Sequence, residues 1–233
     1  MKQVIKSYDE LDDIHIDVLS ELGNIGSGNA ATSLSVLLDE GVTISMPHVM
    51  ILDYDGVVRA TGDPEELGIA IMIHYVGDVR GIVLFVLSYD DAKGIANMLV
   101  GDAILADDAK IEKCDCGDCG DCEDRSYGGQ GGALCDLEIS MIKEIGNILG
   151  SSYLGSISTL TGLEFDISVP NVSIDMVGAI MSAPMSEFSI DNKKILIIEE
   201  SFSTETLSLK SHVILFADIP SLNLIMDRLG INV

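Results

Sequence analysis

The 233-residue chain contains no tryptophan, and aromatic residues make up only 5% of it. So few rings leave little with which to stack on nucleic-acid bases. Basic residues are also scarce, with 13 lysines and arginines against 38 aspartates and glutamates and a formal net charge of −25. Such a surface repels nucleic-acid phosphates and anionic lipid headgroups. The composition therefore predicts neither a nucleic-acid nor a membrane partner, and it favours a partner with a basic or metal-bearing face.

The sequence also lacks any apolar run near the ~20 residues that span a bilayer. Residues 1–6 lead into an acidic stretch and do not contain the apolar segment of a signal peptide. We therefore expect a cytoplasmic protein whose five cysteines are reduced, without structural disulfides. The 47% of hydrophobic residues supply enough apolar material for a sizeable core.

One polar pattern, [D/S]-x3-E-x2-N-x22-P, occurs twice in the chain, and its Glu, Asn and Pro recur 123 positions apart. Its members are Asp17, Glu21, Asn24 and Pro47 in the first copy and Ser140, Glu144, Asn147 and Pro170 in the second. Hydrophobic residues recur readily by chance, whereas a carboxylate and a carboxamide at matched spacing do not. The chain is therefore predicted to be an internal duplication that presents one polar constellation twice.

Hydrophobic periodicity predicts that both copies lie on long helices, over about residues 12–38 and 136–160. In the first helix, one apolar stripe is expected to face the core, and it comprises Ile14, Val18, Leu22 and Ile25. The polar members of the pattern fall at i, i+4 and i+7, so they share another face. The small residues 26–31 indicate either a close approach of a second helix or a break in this one.

The rest of each half is predicted to be four strands and a short helix. In the first half, strands are expected over residues 42–45, 49–58, 68–76 and 81–87, with a helix over 90–99 that ends at Gly101. In the second half, strands over 165–169, 173–182, 194–202 and 211–216 precede a helix over 221–229. Hairpin signals between consecutive strands indicate antiparallel pairing. The fold class is therefore α+β, with antiparallel sheets flanked by the two long motif-bearing helices.

The segment between the halves has no counterpart elsewhere in the chain. We predict a first repeat over residues 1–101, an acidic cysteine- and glycine-rich insertion over 102–132, and a second repeat over 133–233, with both repeats forming one compact unit. The insertion carries the cluster Cys114, Cys116, Cys119 and Cys122. Its spacing suits tetrahedral zinc or an iron–sulfur cluster, and an acidic loop with incidental cysteines is the alternative. Cys135 is interpreted as a small packing residue rather than a further ligand.

The repeated pattern and residues 21–32, ELGNIGSGNAAT, resemble the CheC/CheX/FliY phosphatases of bacterial chemotaxis, and CheC-type members most closely. The resemblance covers nearly the whole chain apart from the insertion. It implies a pseudo-two-fold duplicated CheC-like fold that acts as a monomer. It also implies an enzyme that hydrolyses the aspartyl phosphate of the phosphorylated response regulator CheY.

Roles for the repeated residues follow from the same resemblance. Glu21 and Glu144 would pair with the active-site lysine of the regulator, and Asn24 and Asn147 would orient the attacking water. The regulator would bring its own Mg²⁺, so catalysis would need no cofactor from this chain.

Two further pairs and two alternatives complete the expectations. Asp17 and Ser140 would support the helix or lie at the rim of the contact, and Pro47 and Pro170 would fix the chain near a strand. One alternative is a non-catalytic adaptor for CheD, a partner that the resemblance also implies. The other is a metal- or redox-sensing variant that acts through the cysteine insertion. Retention of both asparagines favours the enzyme.

Overall fold

The chain alternates two long helices with short strands and shorter helices, in a computed structural model that describes residues 4–106, 134–188, 194–205 and 208–231. The first half, after a 3-10 turn, contains α1 (Asp13–Leu37), β1 (Thr43–Ile44), β2 (His48–Leu52), α2 (Tyr54–Thr61), β3 (Leu67–Gly77), β4 (Gly81–Ser88) and α3 (Tyr89–Ala106). The second half contains α4 (Asp136–Thr161), β5 (Phe165–Ile167), β6 (Asn171–Met176), α5 (Val177–Phe188), β7 (Ile195–Ser203), β8 (Ser208–Ala217) and α6 (Ile219–Arg228). The predicted α+β class and duplication are confirmed.

Each half has an extra helix where a continuous strand was predicted, so residues 54–58 and 177–182 were assigned wrongly. The Asp53 side chain caps α2 by accepting a hydrogen bond from the Gly56 backbone N–H at 2.8 Å. In α5, Val177, Ile180 and Met181 are buried at helical spacing. Short apolar runs of this kind fit a strand or a buried helix equally well.

The helix α3 also continues past its predicted end at Gly101, as far as Ala106. A glycine inside a helix costs only about 1 kcal/mol relative to alanine, which neighbouring turns can offset. The predicted insertion therefore begins within a helix, and most of it lies outside the described residues.

The described strands form one antiparallel sheet in which the two halves exchange their edge strands. Its centre runs β7-β8-β4-β3, with β1 and β2 added to β7 and with β5 and β6 added to β3. In the first exchange, His48 pairs with Glu199; in the second, Asn171 pairs with Met72. Each motif helix is thus followed by strands that complete the sheet against the other half.

Helices cover both faces of this sheet. The helices α1, α3, α4 and α6 pack on one face, and α2 and α5 pack on the other. In β4, Val83 and Phe85 point into the first layer while Ile82 and Leu84 point into the second. Burial on both faces explains why β4 is a continuous apolar run rather than an alternating pattern.

The buried face of α1 combines leucines with small residues, and of the predicted apolar stripe only Leu22 is buried. Ile14 is 60% exposed, whereas Gly23, Gly26 and Ala30 are buried. A Cβ at Gly26 would come within 2.9 Å of the Tyr153 ring on α4. The helix continues unbroken to Leu37, so the small residues permit the close approach of a second helix.

Two glycines of α4 should respond oppositely to alanine. A Cβ at Gly146 would overlap the branched methyl of Ile71, whereas a Cβ at Gly155 would have no neighbour within 4 Å. We expect Gly155→Ala to raise the free energy of unfolding by about 0.5–1 kcal/mol through helix propensity. Gly146→Ala should lower it by about 1–3 kcal/mol through overpacking. Urea unfolding measures both, and equal effects of the two substitutions would contradict this packing.

Candidate functional site

The structure presents both copies of the polar pattern to solvent. Asp17, Glu21 and Asn24 are exposed on α1. On α4 the same holds for the equivalent members, which are Ser140, Glu144 and Asn147. Within the described residues, the Glu and Asn side chains of both copies make no hydrogen bond or ion pair. They are therefore available to a partner.

Capping fixes where each motif helix begins. In α1, the Asp12 carboxylate accepts a hydrogen bond from the His15 backbone N–H at 3.2 Å. This bond and a second one to the His15 ring hold the pKa of Asp12 below its usual range. In α4, the Glu138 side chain reaches back and accepts from the Cys135 N–H at 2.6 Å. These bonds satisfy backbone donors that the helix itself leaves unpaired. The first polar residue of each pattern follows within about one turn.

A glycine directly before each asparagine lets the helix backbone lie on the sheet. A Cβ at Gly23 would lie 3.4 Å from Ile198 and 3.6 Å from the ring of Pro47, and a Cβ at Gly146 would overlap Ile71. Successive residues on a helix are about 100° apart, so each asparagine points to the side of this contact rather than onto the sheet. Both asparagines are exposed on that side of the helix.

Each motif proline lies after one strand and directly before the next. Pro47 separates β1 from β2 and is buried against Gly23. Pro170 separates β5 from β6 in the same way and is half-buried. Each proline therefore sets the direction of the chain as it turns from one short strand into the next.

A buried polar cluster beneath α1 was not predicted from the sequence. Glu200 of β7 is only 1% exposed, and its carboxylate accepts hydrogen bonds from the Ser27 and Tyr153 hydroxyls. Burial raises the pKa of Glu200, and burial together with the charge of Glu200 raises that of Tyr153. The sequence feature that could have predicted this cluster is Glu200 itself, a glutamate at a position of β7 whose side chain faces the core.

The second half carries no equivalent of this cluster. Gly150 occupies the position 123 residues after Ser27, and a Cβ there would overlap the side chain of Ile73. An apolar contact therefore replaces a hydrogen-bonded carboxylate. The two motif helices therefore expose the same Glu and Asn residues, although the buried contacts beneath them differ.

No group of three or more His, Cys, Asp or Glu side chains within the described ranges could hold a metal ion. The predicted ligands Cys114, Cys116, Cys119 and Cys122 lie outside those ranges. Cys135 is half-buried, forms no disulfide and precedes the first residue of α4. Across the same ranges, no helix combines the length and apolarity needed to cross a membrane.

Comparisons with known proteins match both copies of the pattern. The model of the CheC-like family matches residues 14–51 and 137–174. The CheY-P phosphatase CheC of Bacillus subtilis is 28% identical over 217 residues, which cover 92% of this chain and 93% of that protein. The flagellar motor switch phosphatase FliY of the same organism is 29% identical over 73% of this chain, but only 38% of its own length is covered.

The fold agrees with these matches. A crystal structure of Thermotoga maritima FliY superimposes with a TM-score of 0.67 at 22% identity, covering 95% of this chain and 98% of that one. The fold and the two exposed Glu/Asn pairs define a duplicated α+β protein with one motif helix in each half. The chain is similar to the CheC-like family over both copies of the pattern, and the proteins that it resembles include the CheY-P phosphatase CheC of Bacillus subtilis.

The buried carboxylate should make stability depend on pH. Because the folded-state pKa of Glu200 is raised, its protonated form stabilises the fold, and that stabilisation is lost as pH rises through the folded-state pKa. We expect Glu200→Gln to be more stable than wild type at pH 8, with the difference vanishing toward pH 4. Thermal unfolding across this range measures the effect.

The neighbouring Glu199 is the matched control. Its hydrogen bond to Lys210 lowers its pKa, so its contribution is present at neutral pH and is lost as pH falls. Glu199→Gln should therefore be less stable than wild type at pH 8 and similar at low pH. A Glu200→Gln variant that unfolds more easily than wild type at pH 8 would contradict the account of the buried cluster.

Proposed function

We propose that the protein accelerates hydrolysis of the aspartyl phosphate of a CheY-type response regulator, at two sites. One site comprises Glu21 and Asn24 on α1, and the other comprises Glu144 and Asn147 on α4. The observation that carries the proposal is the equivalent exposure of both pairs, without hydrogen-bond partners among the described residues. The similarity to the CheY-P phosphatase CheC of Bacillus subtilis supports the choice of substrate.

The asparagine would act by position. Its carboxamide both donates and accepts hydrogen bonds and does not titrate near neutral pH. It can therefore hold a water molecule in line with the phosphorus atom. That water attacks phosphorus, the bond between phosphorus and the aspartyl oxygen breaks, and inorganic phosphate and a free carboxylate result. The regulator brings the divalent cation that neutralises the phosphoryl oxygens, so this chain supplies geometry only.

The glutamate would fix the regulator relative to the water. Three positions separate Glu21 from Asn24, so the two side chains lie side by side on the helix surface. An ion pair between this carboxylate and a lysine beside the phosphorylation site loses water when the surfaces meet, which strengthens it. Asp17 adds a second negative charge at the rim of the first site, where the second site has Ser140.

A rigid helix suits a positional role. Each motif helix is capped at its start and packs on the sheet at the residue before its asparagine. A site built on such an element holds its geometry better than one built on a loop. A CheD adaptor without catalysis remains the alternative, but it would not require both asparagines. The predicted monomeric state and cytoplasmic location stay predictions.

Removing the asparagines should abolish the activity. We expect Asn24→Ala and Asn147→Ala each to leave only the opposite site working, and the double variant to return the regulator to its own rate of dephosphorylation. Decay of the phosphorylated regulator measures this. Asn97→Ala is the control, because Asn97 is an exposed asparagine on α3 that belongs to neither copy of the pattern. A double variant as fast as wild type would exclude the positional role.

Removing a glutamate charge should weaken docking more than it slows hydrolysis. In the Asn147→Ala background, we expect Glu21→Gln to raise KM about tenfold, because a charge-assisted hydrogen bond contributes about 1.5–3 kcal/mol. The salt dependence of KM should fall as well. Glu65→Gln, at another exposed glutamate, is the control. An unchanged KM would show that Glu21 does not contact the regulator.

A further inference from the structure

Two equivalent hydrophobic side chains are the most exposed large apolar residues in the described part of the chain. Met46 is 86% exposed and Val169 is 84% exposed. They lie 123 positions apart, each directly before a motif proline. A single exposed apolar side chain is ordinary on a protein surface, but its recurrence at the same place in both halves indicates a partner that covers it.

Both side chains lie on corners that the sheet holds in place. The first corner is residues 45–47 and the second is residues 168–170. Ser45 donates its backbone N–H to the Ser201 carbonyl at 2.9 Å and accepts the Ser201 N–H on its hydroxyl at 2.9 Å. Ser168 makes the same two bonds with His74, at 2.9 and 3.0 Å. With a serine fixed on one side and a proline on the other, neither corner is a loose loop.

Each corner also lies beside a motif asparagine. At the first site, Gly23 packs against both Pro47 and Ile198, and Ile198 pairs with Val49, two residues after that proline. At the second site, Gly146 packs against Ile71, and Ile71 pairs with Val172, again two residues after the proline. Since each glycine precedes an asparagine, the strand residue that supports the helix beside the asparagine also pairs two residues after the motif proline in both halves.

We propose that Met46 and Val169 are docking residues that contact an apolar patch on the phosphorylated regulator, next to its phosphorylation site. The inference rests on the proposed function and extends it from two polar residues to a surface. Continuity with the Glu/Asn pair identifies the occupant, because a protein whose phosphoryl group lies against the asparagine must also cover the corner. The glutamate of each pair favours a basic group on that partner, and the neighbouring corner favours an apolar surface beside it.

Two single-site enzymes test the proposal in a crossed design. Asn147→Ala leaves the α1 site, and Asn24→Ala leaves the α4 site. In the first background, we expect Met46→Ser to raise KM about tenfold with kcat within twofold, and Val169→Ser to change neither. In the second background, the two substitutions should exchange their effects. In the first background, Met46→Leu should leave KM unchanged, because leucine keeps an apolar surface at this position.

The controls separate this inference from the proposed function. Val36→Ser removes another exposed hydrophobic residue, 81% exposed near the end of α1, and should leave KM unchanged in both backgrounds. Direct binding of the phosphorylated regulator to the Asn24→Ala, Asn147→Ala double variant gives a readout without hydrolysis. We expect adding Met46→Ser and Val169→Ser to weaken that binding by tenfold or more.

Three other outcomes would overturn the proposal, and a fourth would separate it from the proposed function. Unchanged KM and unchanged binding would exclude the corners, even if the asparagines prove essential. Equal effects in both backgrounds would indicate a general loss of structure. A wild-type dimer that becomes monomeric with Met46→Ser and Val169→Ser, with binding intact, would show that the corners join two copies of this chain. Weakened binding with fully active asparagine variants would instead support the docking surface and exclude the positional role.

Discussion

The close contact between each motif helix and the sheet determines how this protein presents its polar residues. Gly23 and Gly146 have no side chain where the helix meets the underlying strand, and the next residue along each helix is an exposed asparagine. At Gly146 a larger residue would lift the helix or force Ile71 to move, whereas a Cβ at Gly23 would make ordinary van der Waals contact with Ile198. The position of each asparagine beside the sheet is thus set by packing one residue earlier.

The exchange of edge strands makes the two sites depend on each other. Ile198, which lies under Gly23, belongs to the second half, and Ile71, which lies under Gly146, belongs to the first. Neither half supplies the complete support for its own motif helix. A duplication that kept two sites would therefore have to keep both halves folded together. The buried Glu200 cluster is one place where the halves have diverged without altering the exposed residues.

Local signals in the sequence predicted the parts of the fold that have local causes. The two motif helices and the antiparallel pairing of the consecutive strands β3 and β4 are confirmed. The helices α2 and α5 were missed because their short apolar runs also fit strands. Strand exchange and the partners of Glu200 could not be predicted. The exchange pairs residues far apart in the chain, such as His48 and Glu199, and the Glu200 cluster joins side chains from three elements.

The candidate site shows the same division. The repeat identified Glu21, Asn24 and their counterparts, and the helical spacing placed them on one face, which the structure confirms as exposed. The exposed corners carried no such signal, because Met46 and Val169 have different side chains and only the fold reveals their common position. The most direct test of the account is a structure of the protein bound to the regulator with a stable phosphoryl analogue. The account predicts one regulator on each motif helix, with the asparagine amide within hydrogen-bond distance of a water in line with phosphorus. A regulator bound instead on the α2 and α5 face, with both asparagines still in solvent, would contradict it.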